Sequence, residues 1–341
     1  MANLCSFKLK YRDNRKKKKR TPMNTKDLLR PFANRIRRFV IAHRENVSAT
    51  VEDKLNARTI ERDILLLSHS LEKGMGIPDA RLGFGKAKAQ QLISLLEVAR
   101  HRGISYDSFA LAEGKRVLMA WRDWQAERGV DLSDIDFSSN CLSDALDAVK
   151  SGNAGAIAYK RCLWGEEERQ LVLNFMESRK SVRWFDDREV DESTLENVVR
   201  SALCAPSACN RQPCKVYFAK GKSAVVVANG IRGNRGFESS IHQFAVVTCD
   251  RAMFSGAEIY QWYVNGGIFL HSLLLSFSAN SIDSCVFQWL AGDSGAEMRT
   301  LLSIPEREAI VGVVGFGYPN KDAKVLAAQR ISPREIISFH Q

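Results

Sequence analysis

Leu203-Cys204-Ala205-Pro206-Ser207-Ala208-Cys209-Asn210-Arg211-Gln212-Pro213 combines small residues, two prolines, a hydroxyl, two amides and an arginine. It lies between a segment with helical periodicity, Glu192–Leu203, for which Asp191 is a candidate cap, and a β-rich run, Cys214–Phe218. Small residues let a backbone come close to a ligand, and Pro206 and Pro213 fix φ on either side. Ser207, Asn210 and Gln212 supply donors and acceptors that could read the edge of a polar heterocycle. The same residues would also suit a plain turn capped by Asn210.

Just upstream, Arg179, Ser181 and Arg183 recur at i, i+2 and i+4. On extended chain they share one face. Two guanidiniums beside a hydroxyl suit a phosphate monoester, because the arginine fork matches phosphate oxygens and stays charged. A surface salt-bridge cluster is the alternative. Arg330 is a further candidate cation.

Before these motifs the chain reads as almost wholly helical. Phe32, Ile36, Phe39 and Val40 form an amphipathic face ringed by arginines, suited to a membrane surface or to packing on the body. Further helices are predicted over Val51–Leu71, ended by Gly74, Gly76 and Pro78, and over Phe84–Arg100 and Phe109–Arg128, with Trp121 and Trp124 facing the core. Ser143–Val149 continues the pattern. His69, Glu72, Lys73 and Glu61 are read chiefly as structural, with Lys73 offsetting the helix dipole.

After the linker-like Ser151-Gly152-Asn153-Ala154-Gly155 the pattern changes. Helical Glu166–Met176 is followed by strands at Phe244–Cys249 and Ile310–Phe316, a buried helix at Tyr260–Phe277, and a short apolar run at Ala224–Ala228 of undecided type. The expected domains are a disordered basic arm over 1–23, a helical region over 24–165 and an α+β domain over 166–341. Strands without regular βαβ spacing, and no Gly-x-Gly-x-x-Gly, argue against a dinucleotide-binding doubly wound sheet.

The formal charge of +11 is uneven. Residues 1–44 hold 15 Lys or Arg against Asp13 and Asp27, and the remainder is close to neutral. The run Arg15–Arg20 therefore sets the basic pI. It could touch anionic lipid or serve only as a solvated tail that aids solubility, but no aromatics interleave it, so a nucleic-acid stacking surface is not expected. Eight cysteines form no CxxC and fit a reduced intracellular chain, while Cys204, Cys209 and Cys214 recur at a spacing unlike a zinc knuckle. No apolar signal core follows Met1, and Gly266–Phe277 is too short and polar to span a bilayer.

Three motifs together resemble the nitroreductase family of flavin enzymes. They are Ser178-Arg179-Lys180-Ser181-Val182-Arg183-Trp184-Phe185, Ala205–Pro213 and Gly315-Phe316-Gly317-Tyr318-Pro319, followed by Arg330. Tyr263–Phe277, with Gly266-Gly267 allowing close approach, is similar to the family's long core helix. The resemblance implies an α+β nitroreductase-like fold, with a mostly antiparallel sheet flanked by helices. It further implies an intertwined homodimer with FMN at the interface. Arg179, Ser181, Arg183 and Arg330 would contact the phosphate and flavin end groups. Pro206, Ser207, Ala208 and Asn210 would contact the flavin from the other subunit, with Gln212 supporting that loop and Ser284–Gln288 near the reactive edge.

NADH or NADPH would donate hydride through flavin N5 to a small-molecule acceptor of nitro or quinone type. Two rival roles are a flavin-dependent tailoring enzyme, since members with such N-terminal helices are associated with bacterial polysaccharide functions, and a non-catalytic scaffold docked by its basic arm. A cytoplasmic location, peripheral at the inner membrane face, is expected. This chain departs from many members in Ala328, where a lysine is common, so that Arg232 or Arg235 could substitute, and in Cys209.

Overall fold

The computed structural model describes residues 36, 39–40, 56–105, 107–138, 142, 155–289 and 295–340. Two compact units are distinguished, Met1–Glu45 and Asn46–Gln341. In the first, Ile36, Phe39 and Val40 are helical. The basic run, residues 51–55, Ser143–Val149 and most of the linker-like stretch lie outside the described residues.

The second unit begins with three helices, α1 (Ala57–Met75), α2 (Lys86–His101) and α3 (Phe109–Ala126). Asn56 starts α1: its Oδ1 accepts from the Thr59 amide at 2.9 Å, satisfying one orphan donor of the first turn. Gly74 does not end this helix, contrary to the sequence expectation. It lies inside α1, which runs to Met75, and a Cβ there would sit 2.1 Å from the Phe84 ring. The glycine is a socket for Phe84, so packing outweighs its helix-breaking cost of about 1 kcal/mol. Lys73 does fall in the last turn.

Ile60, Ile64 and Leu71 of α1, Leu92 and Leu96 of α2, and Leu111, Leu118 and Trp121 of α3 are at most 1% exposed. Each stabilises by about 1.5–3 kcal/mol on burial. Their core continues into Cys249, Met253, Phe254, Trp262 and Ala309, residues of the sheet end and its neighbouring turns. Arg58 of α1 donates to the fully buried Asp250 carboxylate at 2.8 Å, and Arg307 reaches the same oxygen at 3.1 Å. The helical segment and the sheet therefore share one apolar floor and one ion cluster.

The remaining elements are α4 (Glu166–Ser178), α5 (Glu192–Ala202), β1 (Cys214–Lys220), α6 (Lys222–Gly230), β2 (Gln243–Asp250), α7 (Gln261–Ala279), β3 (Asp283–Phe287), α8 (Ala296–Leu301) and β4 (Glu308–Gly317). The undecided run Ala224–Ala228 is thus helical. Asp191 caps α5, accepting from the Thr194 amide at 2.8 Å and from the Ser193 and Thr194 hydroxyls. Those bonds hold its carboxyl down at about 2.

The sheet is antiparallel in the order β1-β2-β4-β3, making the fold α+β and nitroreductase-like, with additional N-terminal helices. Every residue of β2 is buried, because both faces are covered. Ala245, Val247, Val314 and Phe316 pack with Phe269, Leu273 and Phe277 of α7, while Phe244, Val246 and Val313 meet Ala224 and Val227 of α6. An alternating pattern is invisible in such a strand, which reads as a continuous apolar run. No helix among the described residues is long and apolar enough to cross a membrane.

Candidate functional site

The Pro206–Pro213 segment leaves α5, makes a single 3₁₀ turn over Ala208–Asn210 and enters β1. Its backbone is unusual: Cys209, Asn210 and Gln212 have φ of 52°, 52° and 46°. Asn tolerates the left-handed region; Cys and Gln do so at about 1–2 kcal/mol each. Surrounding bonds impose the shape. Ser207 Oγ accepts from the Gln212 amide at 3.1 Å, and Gln212 Nε2 donates to Asn210 Oδ1 at 3.0 Å. Asn210 therefore braces the loop through its side chain, with Ser207 at the cap position. Asn265 of α7, 5% exposed, accepts from the Ala208 amide at 2.8 Å.

Arg211 is the clamp beneath this loop and is 2% exposed. Its Nε donates to Ala208 O at 3.0 Å and its Nη1 to Met253 O at 2.6 Å. Both terminal nitrogens fork onto Glu258, at 3.0 and 2.6 Å, and the guanidinium lies 4.7 Å from the Phe254 ring centroid. Sequence reasoning did not single out Arg211, Glu258 or Asn265. An arginine set among small residues is the signal the sequence offers there, and its partners lie more than 40 residues away.

The Arg211 hydrogen bonds hold Glu258 at about 2, below its ordinary 4.5. A depressed carboxylate stabilises the fold above its unfolded pKa, and that stability is lost as pH falls toward the folded value. Wild type is thus expected to lose urea resistance between about pH 4.5 and about 2, whereas Glu258→Gln, weaker at neutral pH, should show a flatter profile there; parallel profiles would contradict this reading.

The arginine strip lies elsewhere. Arg179 follows α4 with extended backbone, and Ser181 forms a parallel bridge with Ser284 of β3, the Val182 amide donating to Ser284 O at 3.2 Å. Burial raises the Cys285 thiol pKa, while Arg183, a hydrogen bond with Ser181 and Arg179 lower it; all three strip residues act on one neighbourhood. Among the described residues neither Arg179 nor Arg183 is paired with a carboxylate; Arg183 Nη1 donates to Ser181 O at 3.3 Å. Ser284 is 1% exposed, and its hydroxyl has no hydrogen-bond partner among the described residues. Two un-neutralised guanidiniums, a half-buried hydroxyl and an orphaned buried one suit a phosphate.

Strip and loop are not adjacent in one chain. The strip borders β3 and the loop feeds β1, at opposite edges of the four-stranded sheet. Three strand spacings put about 14 Å between those edges. Arg330 is exposed and, among the described residues, bonds locally to Ala328 O and Gln329 O. Pro206 and Asn210 are exposed, and Ser207, Ala208 and Gln212 half-buried. Arg232 donates its amide to Gln288 O at 3.4 Å, which places the possible substitute cation beside the end of β3.

Residues 176–242 match the model of the Nitroreductase family. A candidate NADH dehydrogenase/NAD(P)H nitroreductase of Archaeoglobus fulgidus is 26% identical over 171 residues, 48% of this chain and 95% of that protein. A similarly named protein of Methanothermobacter thermautotrophicus is 23% identical over 158 residues, 46% of this chain and 81% of its own. A nitroreductase-type crystal structure with FMN from Desulfovibrio desulfuricans superposes with a TM-score of 0.43 at 18% identity, covering 50% of this chain and 96% of the other. The family match, spanning strip and loop, and the antiparallel α+β sheet that follows make the C-terminal part of this chain similar to the Nitroreductase family in sequence motif and in fold.

Proposed function

We propose that the protein is an FMN-dependent oxidoreductase, linked to NADH or NADPH and acting on a small organic acceptor of nitro or quinone type. The observation that carries this is the pair of uncompensated guanidiniums, Arg179 and Arg183, beside the unpartnered buried Ser284 hydroxyl. With Ser181, these groups would hold the cofactor phosphate. Pro206, Ser207, Ala208 and Asn210 would border the flavin, on a loop held rigid by Arg211, Asn265 and Gln212. Bound FMN would supply two-electron chemistry at N5. The chain's own part is to anchor the phosphate, keep the loop amides in fixed directions and exclude water.

A homodimer follows from the same reading, because strip and loop would meet across two chains. Supporting it, α4 buries none of its residues and exposes Leu171, Leu173 and Met176. Segment 321–340 is exposed almost throughout, with Leu326, Ile336 and Phe339 at 72%, 72% and 90%. Unpartnered apolar surface of that extent points to an interface.

Purified protein reconstituted with FMN should show a flavin spectrum that bleaches anaerobically with NADH or NADPH. The pair Arg179→Gln and Arg183→Gln should weaken FMN binding about a hundredfold or more, with the thermal midpoint of the apoprotein unchanged. Equal affinity in the double variant would overturn the assignment. The basic arm we assign to anionic membrane: salt-sensitive binding to phosphatidylserine vesicles should disappear when residues 1–22 are removed, and binding that persists would refute it.

A further inference from the structure

We propose that Cys214 and Cys249 are a cross-strand dithiol that closes to a disulfide on two-electron oxidation, pinning the strand end that follows the Pro206–Pro213 loop. The two residues are direct partners in the β1–β2 register. One step along, the Asp250 amide donates to Pro213 O at 2.9 Å, making Pro213 and Asp250 a hydrogen-bonded position. Alternation then makes Cys214 and Cys249 a non-hydrogen-bonded pair, the closer kind, with Cα atoms about 4.5 Å apart and side chains on one face. That lies within the roughly 4.4–6.8 Å that a disulfide requires. The thiols already interact with each other, and both pack at the floor shared with the N-terminal helices.

Their surroundings set the order of events. Cys249 is fully buried, and burial, then its hydrogen bond with Cys214, keeps its thiol protonated. Cys214 is half-buried and lines a small cavity of about 20 Å³ under the loop, with Ser207, Gln212 and Asn265. Hydrogen peroxide therefore meets Cys214 first. Its O–O bond breaks, one oxygen passes to the Cys214 sulfur as sulfenic acid, and water leaves. The Cys249 sulfur then bonds to the Cys214 sulfur and displaces the oxygen as a second water. Each sulfur gives up one electron, and the peroxide takes both.

This pairing does not depend on the flavin reading. Hydrogen peroxide treatment of the full chain, followed by blocking of free thiols and trypsin digestion, tests it. The expected product is a linked pair of peptides, Gln212–Lys215 with Gly236–Arg251, two hydrogens lighter than their sum and separated by dithiothreitol. Oxidised wild type should also unfold at higher urea concentration than reduced, and Cys214→Ser should show no such shift. Linkage of either peptide to Ser201–Arg211, which carries Cys204 and Cys209, would overturn the proposal. So would Cys214 proceeding to sulfinic acid with no linkage, or an oxidised midpoint no higher than the reduced one.

Discussion

Replacing Arg211 by methionine is expected to cost about 3–5 kcal/mol and to weaken FMN binding by at least tenfold in whatever fraction folds. The side chain is 1% exposed and its Glu258 partner 30% exposed, so the change strands a carboxylate that is only partly hydrated. It also removes the donors to Ala208 O and Met253 O. Without them the Ser207–Gln212, Gln212–Asn210 and Asn265–Ala208 bonds alone oppose the strain of the left-handed Cys209 and Gln212, and the loop should relax part of the way toward ordinary backbone angles. Arg211→Lys separates charge from geometry. A lysine keeps the cation near Glu258 but cannot fork onto it while also reaching two carbonyls. It should recover part of the stability and little of the cofactor affinity. If lysine restores both in full, the clamp is electrostatic only.

The second large effect is expected at Gly266, where α7 crosses β4. A Cβ there would lie 2.4 Å from Val311 Cγ2, 3.0 Å from Cγ1 and 3.2 Å from Cβ. Because the Val311 Cβ is itself close, a rotamer change cannot clear the contact and the helix must lift. Gly266→Val should cost about 3 kcal/mol or more, at the upper end of overpacking. Lifting α7 would also pull Asn265 from the Ala208 amide, so cofactor affinity should fall with stability. Gly267, its neighbour, faces open space, and Gly267→Ala should be nearly neutral or slightly stabilising. Adding Val311→Ala to the Gly266 variant should recover much of the loss, a non-additivity of about 1 kcal/mol or more. Additive denaturation midpoints would contradict the contact. The sequence motif Gly266-Gly267 suggested close approach for both residues; only the first makes one.

What the sequence determined by itself was local. Helical periodicity located α1, α2, α3 and α5, Asp191 and its hydroxyl neighbours defined a cap, and alternate spacing put Arg179, Ser181 and Arg183 on one extended face. Such features depend on residues within a turn or two of each other. Gly74 misled because its local cost is small beside the burial of a Phe84 ring ten residues away. The tertiary structure alone decided that α1–α3 share a core with Met253, Phe254 and Trp262, and that Arg211, Glu258 and Asn265 brace the loop. It also decided that strip and loop occupy opposite edges of one sheet. Ion pairs and sheet order join residues tens of positions apart, and their free energy depends on burial, which no short stretch of sequence specifies.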